Sequence, residues 1–371
     1  MTSTLRILAL EPYYGGSHQY FLDGWCKRSR HKWTVLTLPA RKWKWRMRHA
    51  SFTFARQAEQ LLSEGRSWDV IFCSDMLELA AFRGLAPPKL RNIPAVVYFH
   101  ENQLTYPVRN ESQRDLHFGL SNMNSTLAAE AVWFNSDYHR GEFLSALERT
   151  LKTMPDFVPQ EAVELISEKS SVQHPGVEEF PSRGQRPPGP LRIAWAARWE
   201  HDKRPRDFFD ALVELAEKGV DFRLSVLGEQ FREHPKVFDQ ARERFADRID
   251  HWGYQSRRDY RRALMSADVF VSTAGHEFFG IAAVEAISAG AFPLLPNRLS
   301  YPELLAGAEG KADFFFYDGT CEDLAKRLEE LSERLQRGDL WRADLRGARS
   351  AVARFSWSVR AVELDSAIAE A

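Results

Sequence analysis

Residues 269–290, VFVSTAGHEFFGIAAVEAISAG, join an apolar strand to a helix through a glycine turn, and this join decides the fold. Val269–Val271 is a short apolar run, which is typical of a buried parallel strand. Gly280 stands directly before a segment of helical length. The backbone N–H groups of Phe279, Gly280 and Ile281 would then be unpaired at a helix N-terminus, where they can bind an anion such as a diphosphate.

Two glutamates flank this turn. Glu285 falls about one helical turn inside the helix, where its carboxylate can accept two hydrogen bonds from a ribose diol, and Glu277 can hold sugar hydroxyls. Alone, the pair would be two solvated glutamates on a helix. Arg198 and Lys203 follow an earlier strand of the same half, and two cations there can neutralise a diphosphate leaving group without a metal. No DxD motif lies between strand ends, so we expect no metal.

Short apolar runs alternate with helical segments on both sides of this stretch, which predicts βαβ units and parallel sheets. Residues 180–190, FPSRGQRPPGP, contain four prolines and two glycines and are predicted to be a linker. We therefore predict an α/β protein with an N-terminal domain (1–179), a C-terminal nucleotide-sugar-binding domain (191–345) and a helical segment (346–371) that can cross back to the first domain. Both domains are predicted to be Rossmann-like and doubly wound, facing a cleft at the carboxyl ends of their strands.

The composition limits the function classes. A length of 371 residues suits two domains, and the formal net charge of −1 means that any nucleic-acid contact requires a local basic patch. Cys26, Cys73 and Cys321 are far apart, which argues against a disulfide framework and a zinc site. The first apolar run is too short for a signal peptide, and no run reaches the roughly 18 residues of a membrane helix. We expect a cytoplasmic protein without stable membrane association.

Two motifs stand out in the N-terminal half. The first is EPYYGGSH (11–18), predicted as a loop in which Gly15 and Gly16 let the backbone approach a phosphate or sugar closely. A plain tight turn would need the same glycines. The second is HENQLTYP (100–107), a row of polar groups at the end of a strand. A lone histidine is ordinarily structural, but His100 lies where this architecture places its chemistry.

Five residues of the region 190–300 together resemble the donor signature of the retaining GT-B glycosyltransferases of the glycosyltransferase 4 family: Arg198, Lys203, Glu277, Gly280 and Glu285. The resemblance implies that Glu285 binds the ribose and Glu277 the donor sugar. It assigns the pyrophosphate to Arg198 and Lys203. It also implies front-face attack without a protein nucleophile. The leaving phosphate would help to deprotonate the acceptor, and His100 would orient a hydroxyl group.

A wider set of motifs is spread over residues 5–305: EPYYGGSH (11–18), KWKWR (42–46), SDM (74–76), HENQLTYP (100–107), HEFFG (276–280) and YPE (301–303). As a set they are similar to the tRNA-queuosine α-mannosyltransferase family. The resemblance implies transfer of mannose from GDP-mannose to the cyclopentenediol of queuosine in the anticodon of tRNA-Asp. We assign contacts with this acceptor to a group of motif residues: Ser17, His18, Glu101, Asn102 and Gln103.

A basic, aromatic segment supports an RNA acceptor. Residues 27–49 contain no acidic residue, and their cations are interleaved with tryptophans. Cations can contact phosphates, and exposed rings can stack on unpaired bases. The predicted contacts form a loop over 41–48: Lys42, Trp43, Lys44, Trp45, Arg46 and Arg48. Trp33 can instead belong to the core, and Trp43 or Trp45 can anchor the loop. A second basic run, 257–262, is either an exposed helix face or lies near the nucleotide base.

Two other functions remain open from the sequence. An enzyme of the same fold can act on a glycan or a lipid-linked acceptor, and the basic-aromatic loop could dock on a membrane. A non-catalytic tRNA-binding protein could also keep the fold, although the complete donor signature argues against it. The sequence does not constrain the oligomeric state.

Overall fold

The structure of the protein is a computed structural model, which describes residues 4–108, 114–230, 234–307, 314–341 and 347–371. The chain folds as two compact units. The first consists of Met1–Gly176 together with Trp357–Ala371, and the second is Val177–Ser356.

The proline-rich segment 180–190, which we predict as a linker, lies in the second unit. There, Arg186 pairs with the buried carboxylate of Asp268 at 2.6 Å, and Arg183 donates to the carbonyl oxygen of Gly290 at 2.8 Å. The predicted boundary between 345 and 346 falls outside the described residues.

The described part of the first unit contains one parallel sheet of six strands. They are β1 (Arg6–Tyr14), β2 (Lys32–Pro39), β3 (Val70–Ser74), β4 (Ala95–Phe99), β5 (Ala131–Phe134) and β6 (Ser170–Val172). The order is β2-β1-β3-β4-β5-β6. Strands β3 and β4 are buried along their whole length, as expected for a parallel sheet covered on both faces. The strand order reverses between β1 and β3. The carboxyl ends of these two strands therefore form a topological switch point.

Helices connect these strands and cover the sheet. They are α1 (Gly16–Cys26), α2 (Trp43–Ser63), α3 (Leu79–Leu85), α4 (Pro88–Arg91), α5 (Leu116–Ala128), α6 (Asp137–Leu151) and α7 (Glu161–Glu168). Asp115 caps α5 by accepting from the backbone of His117, and Ser136 caps α6 in the same way through His139.

The second unit has its own parallel sheet of six strands in the residues that the model describes. They are β7 (Leu191–Ala196), β8 (Phe222–Leu227), β9 (Ile249–Gly253), β10 (Val269–Val271), β11 (Phe292–Pro296) and β12 (Phe316–Tyr317). The order is β12-β11-β10-β7-β8-β9, so this sheet reverses between β7 and β10. Its helices are α8 (Pro205–Glu217), α9 (Val237–Arg244), α10 (Arg257–Ser266), α11 (Ile281–Ser288), α12 (Tyr301–Leu304), α13 (Cys321–Gln336) and α14 (Gly347–Ala353).

The last helix, α15 (Trp357–Glu370), packs on the first unit. The indole of Trp357 fills a space that Gly176 leaves open, because a Cβ there would lie 2.2 Å from the ring. The buried carboxylate of Asp365 accepts a hydrogen bond from Trp25 Nε1 at 2.8 Å. This helix is therefore part of the core of the first unit.

The predicted fold class is confirmed, since each unit is a Rossmann-like α/β layer structure around a parallel sheet. Two local predictions are wrong. Residues 11–18 are not a loop, because β1 continues to Tyr14 through a register shift and α1 begins at Gly16. Pro12, which has no N–H to donate, lies in the shifted stretch. The predicted loop 41–48 is largely the first turns of α2. Among the described helices, none is long and apolar enough to cross a membrane.

Candidate functional site

The predicted donor residues lie at the switch point of the second unit. Arg198 and Lys203 follow β7, and Glu277 follows β10, which is the neighbour of β7 in the sheet. Ligands of doubly wound sheets bind outside the carboxyl ends of the strands where the order reverses. The topology thus brings two cations and a carboxylate to one edge of the sheet.

Lys203 is the central residue of this group. Its buried ammonium donates to the carbonyl oxygen of His276 at 2.7 Å and to Glu277 Oε2 at 3.4 Å, and Asp202 Oδ2 lies 3.2 Å away. Burial lowers the pKa of Lys203, but the carboxylates of Glu277 and Asp202 outweigh this effect and raise the net pKa. The lysine therefore stays charged.

The charges around Lys203 set the protonation of its neighbours. Burial pushes the pKa of Glu277 upward, but the charge of Lys203 and smaller effects bring it below its usual value. Burial and the charge of Lys203 lower the pKa of His276 to about 4. At neutral pH the site therefore contains an ionised Glu277 and a neutral His276.

Backbone hydrogen bonds hold the segment 272–280. The N–H of Gly275 donates to the carbonyl oxygen of Asp202 at 2.7 Å. Arg298 donates to two carbonyl oxygens of the segment, at 3.1 and 3.2 Å. The position of Glu277 is thus fixed by neighbouring loops as well as by Lys203.

Gly280 has a backbone φ of +93°, which a residue with a side chain rarely adopts. A Cβ at this position would also lie 3.1 Å from the ring of Tyr301. Helix α11 begins at the next residue, Ile281. A cavity of about 20 Å³, large enough for a water molecule, lies beside the turn and is lined by Lys203, Glu277 and Gly280 among others.

The carboxylate of Glu285 lies in α11 and is only 3% exposed. Its Oε1 accepts from Arg257 Nη2 at 2.8 Å, and its Oε2 accepts from the hydroxyl of Tyr260 at 2.9 Å. Both partners come from α10. The basic run 257–262 is therefore not simply an exposed helix face, because Arg257 contacts a predicted donor residue.

The remaining predicted donor residues are placed differently. Arg198 is half-exposed and lies 3.3 Å from Glu200, and its charge also acts on Lys203 and Glu277. The side chain of Phe279 is buried and packs on Phe355, with 5.2 Å between ring centroids. Only the backbone of Phe279 can then serve a ligand.

A second polar cluster lies at the switch point of the first unit. Glu11, in β1, and His18, in α1, are both buried, with 3.2 Å between Glu11 Oε2 and His18 Nδ1. Glu11 Oε1 accepts from the hydroxyl of Ser74 at 3.0 Å. The ring of His100, after β4, lies 4.0 Å from that of His18 between centroids. The structure thus brings two predicted histidines together.

The two histidines differ in charge. Burial alone would lower the pKa of His18, but the adjacent Glu11 carboxylate outweighs it and raises the pKa to about 9. Burial, with the charges of His18 and His139, lowers the pKa of His100 well below its usual value. At neutral pH, His18 is therefore a cation and His100 is neutral.

Asp75 connects this cluster to β3. Its Oδ1 accepts from the backbone N–H of His100 at 2.9 Å, which fixes the start of the segment after β4. The side chain is fully buried, and burial raises its pKa well above the usual value despite the charge of His18. Asp75 is a functional candidate that the sequence analysis did not select individually.

The other predicted acceptor residues of this unit have mixed surroundings. Ser17 is exposed and Glu101 half-buried, so both are accessible. Asn102 is fully buried, and its Oδ1 closes a local turn by accepting from the backbone N–H of Thr105 at 2.9 Å. Gln103 is also buried, and its backbone N–H donates to Asn122 Oδ1, in helix α5, at 3.0 Å.

The glycines of the first motif have separate roles. Gly15 has extended backbone, and a Cβ there would lie 2.5 Å from the Cβ of Ala40, so packing alone excludes a side chain. Gly16 has a φ of +55° and open space around its Cα. Gly16 is exposed, and it is the glycine of the pair that a ligand could approach.

The predicted RNA-contacting residues form one end of α2. Lys42 precedes the helix with a φ of +56°, and Arg46 donates to the carbonyl oxygen of Pro39 at 3.0 Å. Trp43 is partly buried against Phe118, at 5.0 Å between centroids, so it anchors the helix. The indole of Trp45 is 63% exposed.

Cations surround this end of α2. Lys44 and Arg48, one turn apart, are both exposed, and each lies over the ring of Phe118, at 6.0 and 4.6 Å from its centroid. Exposed cations beside an exposed indole form a surface suited to phosphates and unpaired bases. We call the residues Lys42, Lys44, Trp45 and Arg48 the α2 basic surface.

The side chains of Glu11, His18 and His100 could also hold a metal ion, since one ligand atom of each lies within 4.8 Å of the others. Glu11, however, already accepts from Ser74, from His18 and from the backbone of Tyr13. These contacts tie Glu11 into a hydrogen-bonded network with Ser74 and His18.

Comparison with known proteins covers both units. Residues 6–177 match the family model described as tRNA-queuosine alpha-mannosyltransferase N-terminal, and residues 177–337 match the model described as glycosyl transferases group 1. A tRNA-queuosine alpha-mannosyltransferase of Drosophila melanogaster is 38% identical over 311 residues, which are 81% of this chain and 81% of that protein.

A more limited similarity involves a GDP-mannose:cellobiosyl-diphosphopolyprenol alpha-mannosyltransferase of Xanthomonas campestris. It is 30% identical over 123 residues, or 33% of this chain and 32% of that protein. Among solved structures, the sucrose-phosphate synthase of Thermosynechococcus elongatus superimposes with a TM-score of 0.73 at 15% identity and 98% coverage of both chains. Anabaena HepE in complex with UDP superimposes with a TM-score of 0.68 at 14% identity and 100% coverage of both chains. These two likenesses support the fold alone.

Proposed function

Because the chain belongs to the tRNA-queuosine alpha-mannosyltransferase family and is a glycosyltransferase, we propose that it transfers mannose from GDP-mannose to the cyclopentenediol of queuosine in the anticodon of tRNA-Asp. The observation that carries the proposal is the 38% identity to the Drosophila enzyme over 81% of both chains. The Xanthomonas relative, whose name includes GDP-mannose, supports this choice of donor. As a tRNA-modifying enzyme, the protein would act in the cytoplasm.

The donor would be held by the residues around α11. In this proposal Glu285 accepts hydrogen bonds from the ribose diol, and Glu277 binds hydroxyls of the mannose. Arg198 and Lys203 neutralise the pyrophosphate, together with the backbone N–H groups at Gly280 and Ile281. The charged state of Lys203 supports this role, because a cation that cannot lose its proton stabilises a leaving phosphate at any ordinary pH.

The proposed chemistry needs no protein nucleophile and no metal. The bond between mannose C1 and the phosphate oxygen breaks, and a bond from C1 to a queuosine hydroxyl oxygen forms on the same face of the sugar. The hydroxyl proton passes to the leaving phosphate of GDP. His100, which is neutral, would orient the reacting hydroxyl by a hydrogen bond rather than act as a charged acid.

The acceptor would be recognised by the first unit. The α2 basic surface presents an exposed indole among exposed cations, which suits an anticodon loop with its unpaired bases. Ser17 and Glu101 are accessible beside the His18–His100 pair and could contact the queuosine itself. Asn102 and Gln103, which are both buried, would hold the segment 100–107 in position.

A panel of donors and acceptors tests the proposal. Release of nucleoside diphosphate is measured with GDP-mannose, GDP-glucose, UDP-glucose or ADP-glucose, each with queuosine-containing tRNA, tRNA lacking queuosine, or liposomes containing polyprenyl diphosphate sugars. We expect release only with GDP-mannose and queuosine-containing tRNA. Release with the lipid acceptor instead would favour an enzyme that, like the Xanthomonas relative, uses a polyprenol-linked acceptor. Binding of tRNA without release from any donor would indicate a non-catalytic protein.

A further inference from the structure

Arg257 and Tyr260 hold the Glu285 carboxylate from the side of α10. One oxygen accepts from Arg257 and the other from Tyr260, at 2.8 and 2.9 Å. The carboxylate itself is buried, whereas the side chain of Arg257 is 47% exposed. The guanidinium carbon lies 5.7 Å from the centre of the Tyr260 ring, which helps to hold the plane of the group. A fixed guanidinium thus lies between Glu285 and the protein surface.

We propose that Arg257 selects guanine as the base of the donor nucleotide. The inference rests on the proposed function, in which Glu285 binds the ribose of GDP-mannose. A nucleoside diphosphate is linear, with the ribose between the base and the phosphates. Lys203 and Arg198 are assigned to the phosphates, and Arg257 is not among the residues that line the cavity beside Lys203 and Glu277. Arg257 bonds to Glu285, the proposed ribose-binding carboxylate, away from the residues assigned to the phosphates. We therefore assign Arg257 to the base.

The chemistry of the guanidinium matches guanine rather than adenine or uracil. Arginine has five N–H donors in a planar fork, and Arg257, whose side chain is 47% exposed, bonds to Glu285 through Nη2. Guanine presents two adjacent acceptors, O6 and N7, which an arginine fork can bind together. Adenine presents an acceptor beside a donor on that edge, and uracil presents a single acceptor, O4. Of guanine, adenine and uracil, only guanine can accept both hydrogen bonds on that edge.

The role of Tyr260 differs from that of Arg257. The Tyr260 hydroxyl bonds to the carboxylate and so positions Glu285 for any ribose, whatever the base. Variants of the two residues should therefore separate base selection from ribose binding. Arg258, on the same helix, is 80% exposed and pairs with Asp259 instead of Glu285, so it provides a matched control.

The test is calorimetric titration of GDP, UDP and ADP into the wild-type protein and the variants Arg257→Lys, Tyr260→Phe and Arg258→Lys, each checked for an unchanged melting temperature. We expect the wild type to prefer GDP by about tenfold or more, the range of one bidentate arginine–guanine contact. Arg257→Lys should lose most of that preference by weakening GDP alone. Tyr260→Phe should weaken all three nucleotides by a similar factor, and Arg258→Lys should change none.

Two results would overturn the inference while leaving the proposed donor intact. One is a GDP preference that survives in Arg257→Lys. The other is an equal loss of all three nucleotides in that variant, which would show that Arg257 acts only through Glu285. A wild-type preference for UDP or ADP would instead overturn the proposed donor, and base selection by Arg257 would fall with it.

Discussion

The ammonium of Lys203 lies 3.4 Å from Glu277 Oε2, so one buried cation joins the segments that follow β7 and β10. Asp202 lies on its other side at 3.2 Å. Two carboxylates therefore face the same buried ammonium. In a site with little water, such a group supports both the local structure and any ligand phosphate.

Replacing Lys203 with Ala should lower both stability and donor affinity. Asp202 and Glu277 would lose their counter-charge, which should cost about 3 kcal/mol of unfolding free energy. Urea denaturation measures the stability, and calorimetry with GDP measures the affinity. The matched variant is Arg198→Ala, since Arg198 is 42% exposed and should lose GDP affinity without a comparable loss of stability. Equal unfolding free energies in the two variants would contradict this account of Lys203.

The Glu11–His18 pair should make stability depend on pH. The pKa of His18 is raised from 6.5 to about 9 in the folded protein, because Glu11 stabilises the cation against burial. The stabilisation is fully present below about pH 6.5 and is lost as the pH rises through about 9. The difference in unfolding free energy between wild type and His18→Gln should therefore shrink by up to about 3 kcal/mol over that range.

Denaturation at a series of pH values measures this difference. His117→Gln is the control, because His117 is exposed in α5 and contacts Asp115 through its backbone N–H, which the substitution keeps. Its difference from wild type at each pH is the baseline for the trend of His18→Gln. A His18→Gln difference that stays constant or grows between pH 7 and 9.5 would show that His18 is not held as a cation.

Removing the cations of the α2 basic surface should weaken tRNA binding. In the triple variant Lys42→Ala, Lys44→Ala, Arg48→Ala, the slope of log affinity against log salt should fall by about 2 if each residue contacts one phosphate. Arg46 is left in place because it bonds to Pro39. Filter binding at several salt concentrations measures the slope, and GDP affinity should not change. Arg56 is an exposed cation further along α2, so the control variant Arg56→Ala should leave the slope unchanged. A triple variant that binds tRNA with wild-type affinity would exclude the α2 basic surface as a tRNA contact.

Chelation should leave mannosyl transfer unaffected. In the proposed donor site, Arg198 and Lys203 take the place of a metal, and Glu11 in the other cluster already accepts hydrogen bonds. Turnover is compared before and after dialysis against EDTA, with and without added Mg²⁺, Mn²⁺ or Zn²⁺. If activity disappears and one ion restores it, then Glu11, His18 and His100 must be re-examined as its ligands.

The sequence predicted the fold and the glycine turn before α11 because both depend on local patterns. Apolar runs alternate with helical segments, and the Gly280 turn carries its own signature of a strand, a glycine and a helix. The contacts of Glu285 were not predictable in this way. Arg257 precedes it by 28 residues, and only the packing of α10 on α11 decides which arginine of the run 257–262 faces the carboxylate.

The start of α2 was missed for a physical reason. The segment 41–48 has no Ser, Thr, Asp or Asn to cap a helix, and Lys42 precedes the helix with no side-chain cap. Packing supplies what the sequence lacks, since Trp43 lies on Phe118 and Arg46 reaches Pro39. Asp75 was not selected individually, because a single aspartate after a strand has no pattern until its contact with His100 is known.

The most direct test of the central claim is the analysis of nucleosides from tRNA-Asp incubated with the protein and GDP-mannose. Two transcripts with the same sequence are compared, one with queuosine in the anticodon and one with guanosine at that position. We predict that digestion and mass spectrometry will show queuosine carrying one added hexose, identified as mannose after hydrolysis, and no change in the guanosine tRNA. Unmodified queuosine in a reaction where the protein binds both GDP and the tRNA would contradict the account.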